Sequence, residues 1–492
     1  MQYVLAISQK PFATRVVVYD KSGTEIAAAT QAVKLSAPEP GWAEYVPEEI
    51  WQSVAVGLQR VLLKIPSSKI QAIGLTSQRE AVVVWDKTTG RPIYNALAWS
   101  DCRTAERCAV LGKDKSLVNY IRQNTGLTLD CYFSAPKLAW LLKNIPGAYI
   151  RALKGQLLFG TLDSWLLWKL TGGQTHATDY TNAARTMLFN IGQLRWDKKL
   201  LKKFNIPAEL LPEVKNSSGL FGRTVPLGKL AANIPITGVA GDQQASLFGQ
   251  TCFEPGTVKN TYDAGGFMLM NIGARKKISK HGLLTTLCCD SRGRPVYALE
   301  GSVFVAGTAL EWLRHGLQIT GQTADLAKIA RGLPDNNGVY FVPAFTGLAA
   351  PHWQNAARGV ICGITLATTR RHLVRAALEA IVYQTKDVLS AMRQDSGLKV
   401  WEVKVDGAVA ENDFICDFQA DILALSVVRA KARDASALGA AYLAGLQTGY
   451  WKNAEDIRRC WGIDKIFNRV MPSTQSNLLY AGWQKAVQRA VL

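Results

Sequence analysis

Two polar pairs that could perform acid–base chemistry each follow an apolar run. Arg79 and Glu80 come after the segment 72–76, and Asp242 and Gln243 come after the segment 234–240. A carboxylate placed just after a strand, as Asp242 would be, can accept a proton from a hydroxyl. Taken alone, these residue types are more often a surface ion pair and a helix cap. The surrounding sequence has to decide between the two interpretations.

A metal site built from cysteine and histidine is not expected. The nine cysteines and five histidines are scattered along the chain, without a CxxC pair. Scattered cysteines indicate buried, reduced thiols rather than a zinc site. A lone histidine such as His315 or His372 is more often structural than catalytic. We therefore predict no metal ligands of this kind.

The strands and helices that must position the polar pairs alternate along the chain. Alternation of strand, tight turn and helix predicts an α/β fold. We predict two such halves with a nucleotide cleft between them, residues 1–250 and residues 251–492, with the boundary near 248–255. The predicted strands are 3–7, 15–19, 25–27, 72–76, 81–85, 234–240, 258–262, 267–271 and 403–405, and the predicted helices are 47–61, 371–392 and 435–443.

The net charge of +19, from 57 basic and 38 acidic residues, is the unusual feature of the composition. Such an excess can indicate contact with nucleic acid or with an anionic membrane. Here the charges are spread, and the short clusters at 198–203 and 275–277 lack the neighbouring aromatics on which bases would stack. We therefore expect no nucleic-acid binding.

The apolar segments are too short for a membrane span. No run approaches the 18 apolar residues that suggest one, and the segment 1–7 lacks the basic leader of a signal peptide. We expect a cytoplasmic protein without a membrane span.

A series of motifs in a fixed order carries the strongest functional signal. Together they resemble the FGGY carbohydrate kinase family, and within it the enzymes that phosphorylate glycerol. So many matches in order are far more specific than a single glycine motif. The motifs lie at 76–80, 94–101, 125–127, 132–140, 159–165, 177–186, 241–244, 359–363, 372–379 and 481–483.

The resemblance implies a fold, a reaction and a polyol pocket. The implied fold is a pair of actin-like, ribonuclease-H-like ATPase domains that close around ATP with Mg²⁺, and ADP is the product. Asp242 is implied as the catalytic proton acceptor. A small polyol presents hydroxyls and a short carbon edge, so its site needs paired donors and acceptors beside aromatic surface. The implied glycerol-binding residues are Arg79, Glu80, Trp99, Tyr132, Asp242, Gln243 and Phe267.

The nucleotide side follows the family pattern only in part. At the adenosine end Glu311 stands where glutamine is usual, and Ala408 stands where glycine is usual. The residues that the resemblance assigns to the nucleotide are Gln9, Thr14, Arg15, Gly265, Gly307, Glu311, Gly407, Ala408 and Asn412.

The first phosphate loop, residues 8–15, departs most from the family. Ser8 replaces an acidic residue that helps to organise the magnesium shell. Lys10 replaces a glycine, Pro11 has no backbone N–H to donate, and Phe12 places bulk where phosphates should approach. Nucleotide binding should be weakened by these changes.

The second phosphate loop departs as well. Asp263 adds negative charge near the expected γ-phosphate, and Ala264 lacks the hydroxyl of the usual threonine. Lys10 could contact the phosphates in place of the metal, or it could pair with Asp263 across the cleft. Weak MgATP binding is the expected result.

Two interpretations from different classes remain open. One is an ATP-dependent glycerol kinase with a slow or impaired phosphate site. The other is a catalytically inactive, glycerol-binding relative that acts as a sensor or a partner subunit. Oligomeric state is also open, with a homo-oligomer among the alternatives.

Overall fold

The computed structural model describes residues 1–303, 305–319, 323–354 and 356–491. Its strands are β1 Tyr3–Gln9, β2 Ala13–Tyr19, β3 Glu25–Ala32, β4 Glu44–Tyr45, β5 Ile70–Ser77, β6 Val83–Asp86, β7 Ala96–Leu97, β8 Leu157–Gly160, β9 Ala177–Asp179, β10 Phe189–Asn190, β11 Arg195–Trp196, β12 Glu213–Lys215, β13 Ser218–Arg223, β14 Pro235–Gly241, β15 Val258–Tyr262, β16 Gly266–Gly273, β17 Leu284–Cys289, β18 Pro295–Val303, β19 Tyr340–Val342, β20 Val360–Cys362, β21 Glu402–Asp406, β22 Ser426–Ala430 and β23 Ile463–Phe467.

The helices alternate with these strands. They are α1 Pro47–Leu62, α2 Ala105–Leu111, α3 Lys115–Thr125, α4 Ser134–Asn144, α5 Ala148–Leu153, α6 Leu162–Leu170, α7 Tyr180–Ala183, α8 Lys198–Phe204, α9 Asp242–Gly249, α10 Gly307–Glu311, α11 Thr323–Arg331, α12 Arg370–Ser396, α13 Asp413–Leu423, α14 Ala435–Gln447, α15 Ala454–Cys460 and α16 Ser473–Ala490. The α/β class predicted from the sequence is confirmed.

Two mixed sheets share one plan. The first has the order β13-β14-β5-β1-β2-β3, and the second has the order β17-β18-β16-β15-β21-β22-β23. In each, an antiparallel meander continues into parallel pairs. These are β1–β5 and β5–β14 in the first sheet, and β15–β21 and β21–β22 in the second. This is the duplicated architecture expected for two actin-like domains.

The parallel strands of the first sheet end at one level. Gln9 of β1 and Gly241 of β14 both pair with Ser77 of β5. Because the carboxyl ends of parallel strands meet at one edge of a sheet, the residues that follow them are brought together there. The second sheet repeats this arrangement, since Thr261 pairs with Asp406 just before β15 and β21 end.

Alternation along β1 explains why both faces of the first sheet are covered. Leu5 and Ile7 belong to the core beneath α1, whereas Val4 and Ala6 belong to the core beneath α14. Successive side chains of a strand point to opposite faces, so one apolar strand serves two layers. Helix α1 begins with proline and two glutamates, which suit the first turn of a helix.

Helix α14 lies close to the first sheet although it follows the second in the chain. A Cβ atom added at Gly74 of β5 would lie 2.1 Å from the Ala440 carbonyl oxygen, and one added at Gly238 would lie 2.5 Å from the Ala444 nitrogen. The division of the chain at residue 250 therefore stays a prediction, because helix α14, which follows residue 250 in the chain, packs on the first sheet.

Most predicted elements are confirmed with small shifts at their ends. The helix predicted over 371–392 extends over Arg370–Ser396, and the helix predicted over 435–443 extends to Gln447. The strand predicted over 81–85 is shorter and occupies Val83–Asp86.

The close approach of α14 gives a stability prediction. Replacing Gly74 by alanine should lower the free energy of unfolding by about 2–3 kcal/mol, because the added methyl overpacks against helix backbone. Gly359→Ala is the matched control, since its Cβ would find its nearest atoms at 3.6 Å. Denaturant unfolding of both variants checks the prediction, and equal midpoints for the two would contradict it.

Candidate active site

A buried cluster of four charges lies between the two sheets. Arg79 donates to both carboxylate oxygens of Glu300 at 2.6 and 3.0 Å. Arg185 donates to Glu80 at 2.5 Å and to Glu300 at 3.0 Å. All four side chains are at most 2% exposed. The cluster contains two cations and two anions, so its internal charge is balanced.

The local backbone explains how Glu80 reaches this cluster. Glu80 has a φ of 63°, a left-handed conformation that is unusual for a residue other than glycine. Arg79 and Glu80 follow the end of β5, and the turn directs both side chains inward. Strain of this kind persists where the surroundings hold it, and it is common at functional sites.

Pairing controls the ionisation of Glu300. Burial opposes its charge, but the guanidinium groups of Arg185 and Arg79 outweigh burial and lower the pKa of Glu300 to about 2. Burial raises the pKa of Glu80, against the opposing charges of the same two arginines. Glu300 is therefore the fixed anion of the cluster, and Glu80 is the carboxyl whose charge is less favoured.

Aromatic side chains border the cluster on the side predicted to hold the polyol. The rings of Trp99 and Tyr132 meet edge to face at 5.7 Å between centroids. The Arg79 guanidinium lies 5.8 Å from the centre of the Phe267 ring. Lys137 donates to the carbonyls of Ala98 and Tyr132 at 2.9 and 2.8 Å. The predicted pocket residues are thus brought together as polar groups beside apolar walls.

Asp242 is the most accessible carboxylate at the edge of this cluster. It is the first residue of α9, directly after β14, and its side chain is 22% exposed. Its Oδ1 lies 3.3 Å from Nε of Arg79 and accepts from the Gln243 N–H at 2.8 Å. Its Oδ2 accepts from the Gln243 side-chain amide at 3.1 Å. Asp242 therefore joins the buried charges to the open cleft.

A cavity of about 590 Å³ opens in front of Asp242. Both predicted phosphate loops reach it, the first through Lys10 and Pro11 and the second through Asp263. A second cavity of about 870 Å³ shares Asp263, Ala408 and Glu411 with the first. The two cavities therefore adjoin, the first at Asp242 and the second at the predicted adenosine end.

The predicted adenosine residues line the second cavity. Gly307, Glu311, Ala408 and Asn412 all contribute to it. The Asn412 Nδ2 is buried and has no hydrogen-bond partner among the described residues, so it is a donor available to a ligand. Glu311 instead pairs with Arg314 and His315 at 2.9 and 3.1 Å.

The second phosphate loop is a tight turn held by backbone hydrogen bonds within itself and with the start of α10. The N–H of Asp263 donates to the Gly265 carbonyl at 2.9 Å, and the Ala264 carbonyl accepts from the Thr308 N–H at 3.1 Å. Gly407 lies against this loop with a φ of 91°, and a Cβ there would be 2.2 Å from the Tyr262 carbonyl oxygen. Only glycine fits at that position.

The first phosphate loop places few of its predicted residues in the cleft. Gln9 is buried and donates to the Lys10 carbonyl at 2.7 Å, and Thr14 makes a 2.7 Å hydrogen bond with Ser53 of α1. Arg15 pairs with Glu25 at 2.5 Å. Among the described residues of this loop, Lys10 and Pro11 line the cavity, and Gln9, Thr14 and Arg15 do not.

The other members of the first loop differ sharply in exposure. Ser8 is 1% exposed within β1, whereas the Phe12 side chain is 65% exposed at the tip of the turn. Bulk at Phe12 therefore lies mostly in solvent rather than filling the cleft. Phe12 is not among the described residues that line the cavity, and its hindrance of approaching phosphates stays a prediction.

Lys10 has a different partner from the one considered in the sequence. Its Nζ lies 3.3 Å from Asp434, the residue that caps α14, rather than at ion-pair distance from Asp263. Burial lowers the pKa of Lys10, but Asp434 and, more weakly, Asp263 outweigh it, so the pKa is raised. Asp434 could not be anticipated because α14 returns to the first sheet from the far end of the chain.

The donor set of the cleft suits a metal that arrives with a phosphate ligand. Across the described ranges, no group of three or more histidine, cysteine or acidic side chains could hold a metal ion. Asp242 and Asp406 nevertheless both line the phosphate cavity. Mg²⁺ commonly binds through one or two carboxylates together with substrate phosphates and water, so these residues fit it.

Sequence reasoning missed two members of the charge cluster. Arg185 lies inside the motif 177–186, but nothing in its local pattern assigns it a partner. Glu300 is an acidic residue within the otherwise uncharged strand β18. A charge inside a buried strand was the available signal, since such a residue is rarely buried without a partner.

Comparisons with known proteins agree with this geometry. The N-terminal domain model of the FGGY family of carbohydrate kinases matches residues 3–249, and the C-terminal domain model matches residues 258–448. The chain belongs to the FGGY family of carbohydrate kinases. None of the helices that the structure describes in this FGGY chain is both long enough and apolar enough to cross a membrane.

Individual relatives of this FGGY chain match over nearly full length. It is 50% identical over 491 residues to a glycerol kinase of Fusobacterium nucleatum, covering 99% of each chain. It is 48% identical to glycerol kinase 2 of Thermotoga maritima, covering 100% of this chain and 99% of the relative. The crystal structure of Plasmodium falciparum glycerol kinase with ADP superposes with a TM-score of 0.94 at 34% identity, covering 100% and 99% of the two chains.

The charge cluster of this FGGY chain gives a second stability prediction. Glu300→Gln should cost about 3–5 kcal/mol, because it leaves two buried guanidinium groups without their shared anion. Glu48→Gln, which breaks the exposed pair with Lys169, is the control and should cost less than about 1 kcal/mol.

The pH dependence of the stability of the wild type and of Glu300→Gln provides a further readout. The folded pKa of Glu300 is about 2, below its ordinary value of 4.5, so its stabilising contribution is complete above pH 4.5 and is lost as pH falls towards 2. The wild-type protein should lose more stability over that range than Glu300→Gln does. Denaturant unfolding at pH 7 and below measures both effects, and parallel pH profiles would contradict the assignment.

Proposed function

We propose that this chain transfers the γ-phosphoryl group of ATP to glycerol and yields glycerol 3-phosphate and ADP. One observation carries the proposal. Asp242 joins the buried polar cluster to a cavity that both phosphate loops also line. The relatives named glycerol kinase, at 48–50% identity, support the choice of substrate.

The proposed glycerol site uses each class of side chain for a separate task. Arg79, Glu80 and Gln243 supply donors and acceptors for the hydroxyls, and Trp99, Tyr132 and Phe267 supply apolar surface for the carbon edge. Arg79 is already held by Glu300 and Glu80, so its guanidinium does not have to be ordered when the substrate binds. A preorganised donor of this kind is well suited to a small ligand.

Asp242 is the proposed general base. It would accept the proton of a terminal glycerol hydroxyl as that oxygen forms a bond to the γ-phosphorus, and the bond from phosphorus to the bridging oxygen breaks with its electron pair leaving on ADP. Arg79 and Gln243 hold the carboxylate in place. Magnesium that accompanies ATP would neutralise phosphate charge, and Asp242 and Asp406 are the residues that would hold it.

We propose further that turnover is slow because of the first loop. Pro11 offers no backbone donor, and Lys10 is committed to Asp434. Positioning and charge neutralisation account for most of the catalysis in phosphoryl transfer, so each missing contact raises the barrier. The same Lys10–Asp434 pair favours the second candidate, a non-catalytic glycerol-binding protein, since it directs the Lys10 ammonium, which lines the cavity, away from phosphate.

A coupled assay with ATP, Mg²⁺ and glycerol tests the base directly. Asp242→Asn should lower turnover by at least about 100-fold, because the amide cannot accept the proton. Glycerol affinity, measured by calorimetry, should stay close to that of the wild type, since the amide keeps the shape of the carboxylate. Asp290→Asn, in the surface turn between β17 and β18, is the matched control. Unchanged turnover in Asp242→Asn would remove it from the base role.

Restoring the phosphate loops separates the two candidates. The combined variant Ser8→Asp, Lys10→Gly, Pro11→Thr, Phe12→Thr, Asp263→Gly and Ala264→Thr should bind MgATP more tightly and raise kcat by orders of magnitude. Single changes should do much less, because loop residues act together around one charged group.

The combined variant has a built-in control. The same six changes in an Asp242→Asn background should gain ATP affinity without gaining turnover. If the combined variant binds glycerol and ATP well and remains inactive, the non-catalytic candidate is correct.

A further inference from the structure

Lys259 is a buried cation close behind Asp242. It lies on β15, and its exposed fraction is 0%. Its Nζ donates to Oε1 of Gln243 and, at 2.8 Å, to Oγ1 of Thr261. Both acceptors are neutral oxygens. Burying an ammonium costs stability, and the nearby carboxylates Asp406 and Asp242 offset part of that cost.

The contact with Gln243 fixes the orientation of its amide. A lysine ammonium can only donate, so the oxygen of the amide must face Lys259 and the NH₂ group must face the other way. That NH₂ group donates to Oδ2 of Asp242 at 3.1 Å. A chain of two hydrogen bonds therefore runs from Lys259 through Gln243 to Asp242.

The second contact of Lys259 links the same chain of hydrogen bonds to Asp406, at the end of the neighbouring strand β21. Thr261 accepts from Lys259 and donates to Oδ1 of Asp406 at 2.6 Å. Ser246 donates to the other oxygen of Asp406 at 3.2 Å. Lys259, on β15 of the second sheet, is thus linked to helix α9 through Gln243 and to the end of β21 through Thr261.

The charged groups that face Lys259 agree with this placement. Burial lowers the pKa of Lys259 to about 8, while Asp406 and Asp242 act to raise it, Arg79 to lower it and Glu300 to raise it. The ammonium is therefore still charged at neutral pH. A charged Lys259 attracts the Asp242 carboxylate as well as orienting the amide beside it.

We infer that Lys259 is a positioning residue for Asp242, and that it acts through the side-chain amide of Gln243. The inference rests on the proposed function only in taking Asp242 as the proton acceptor. Lys259 itself is not among the described residues that line the cavity, whereas Gln243 and Thr261 are. It is therefore assigned no contact with the substrate.

Loss of the cation should act on catalysis more than on nucleotide binding. In Lys259→Met the Gln243 amide loses the partner that fixes it, and Asp242 loses one ordered hydrogen bond. A misplaced catalytic group commonly costs about 10- to 100-fold in rate, so kcat should fall by that factor. KM for ATP should stay within about twofold, because the adenosine cavity is untouched.

A double-mutant cycle distinguishes positioning from general damage to the fold. If Lys259 acts through Gln243, adding Lys259→Met to Gln243→Ala should lower kcat by less than about threefold further, whereas independent effects would multiply. Lys404→Met is the matched control, since Lys404 is also a buried strand lysine with two hydrogen bonds, to Gln250 and Thr251. It should leave kcat unchanged.

Two readouts keep the test independent of turnover. The same cycle read in glycerol affinity by calorimetry should show the same non-additivity. Crystal structures of the wild type and Lys259→Met should show a rotated Gln243 amide or a displaced Asp242 in the variant. If Lys259→Met does not fold, Lys259→Gln replaces it, with the same expected results.

The outcomes separate this inference from the proposed function. A wild-type protein that does not phosphorylate glycerol would overturn the proposed function, and the crystal structures would still decide the role of Lys259. Full multiplication of the two single effects, or unchanged Gln243 and Asp242 in the variant structure, would overturn the inference even if the wild type is an active kinase.

Discussion

The bidentate pair between Arg79 and Glu300 is the constraint on which the site depends. Arg79 belongs to the turn after β5 in the first sheet, and Glu300 belongs to β18 in the second. One buried ion pair therefore joins the two halves at the base of the cleft. Arg185 completes its charge balance through Glu300 and Glu80. With the guanidinium of Arg79 fixed in this way, Asp242 also has a fixed neighbour.

The polyol side and the nucleotide side of the cleft are built on different principles. In the cluster of Arg79, Glu80, Arg185 and Glu300 each charged group has a partner of opposite sign, and all four side chains are buried. In the first phosphate loop the Gln9 side chain donates to the Lys10 carbonyl, the Lys10 N–H donates to the Ala13 carbonyl, and the Lys10 ammonium pairs with Asp434. A site that must accept several negative charges needs donors left free for them. The folded loop leaves few hydrogen-bond donors free for phosphate, and this is the physical basis for proposing slow turnover.

Much of the fold and part of the site could be predicted from the sequence. The apolar strands and the long helix α12 have strong local patterns. The position of Asp242 directly after strand β14 could also be predicted from the local sequence. The partners of Glu300 and Asp434 could not be predicted, because they lie more than 100 residues away in the chain. Local sequence patterns indicate which residues are buried. They do not indicate which charged residues form ion pairs between the two sheets.

Helix α14 also affects the order in which the molecule can be assembled. It covers one face of the first sheet, where Val4, Ala6 and Val17 are packed beneath residues 437–444. On the ribosome, that face stays bare until most of the chain has been synthesised. A fragment ending at residue 250 would carry the same uncovered surface, and it would associate with itself or require a chaperone. The first sheet thus depends on residues from both halves of the chain, and its core is complete only after helix α14 has been synthesised.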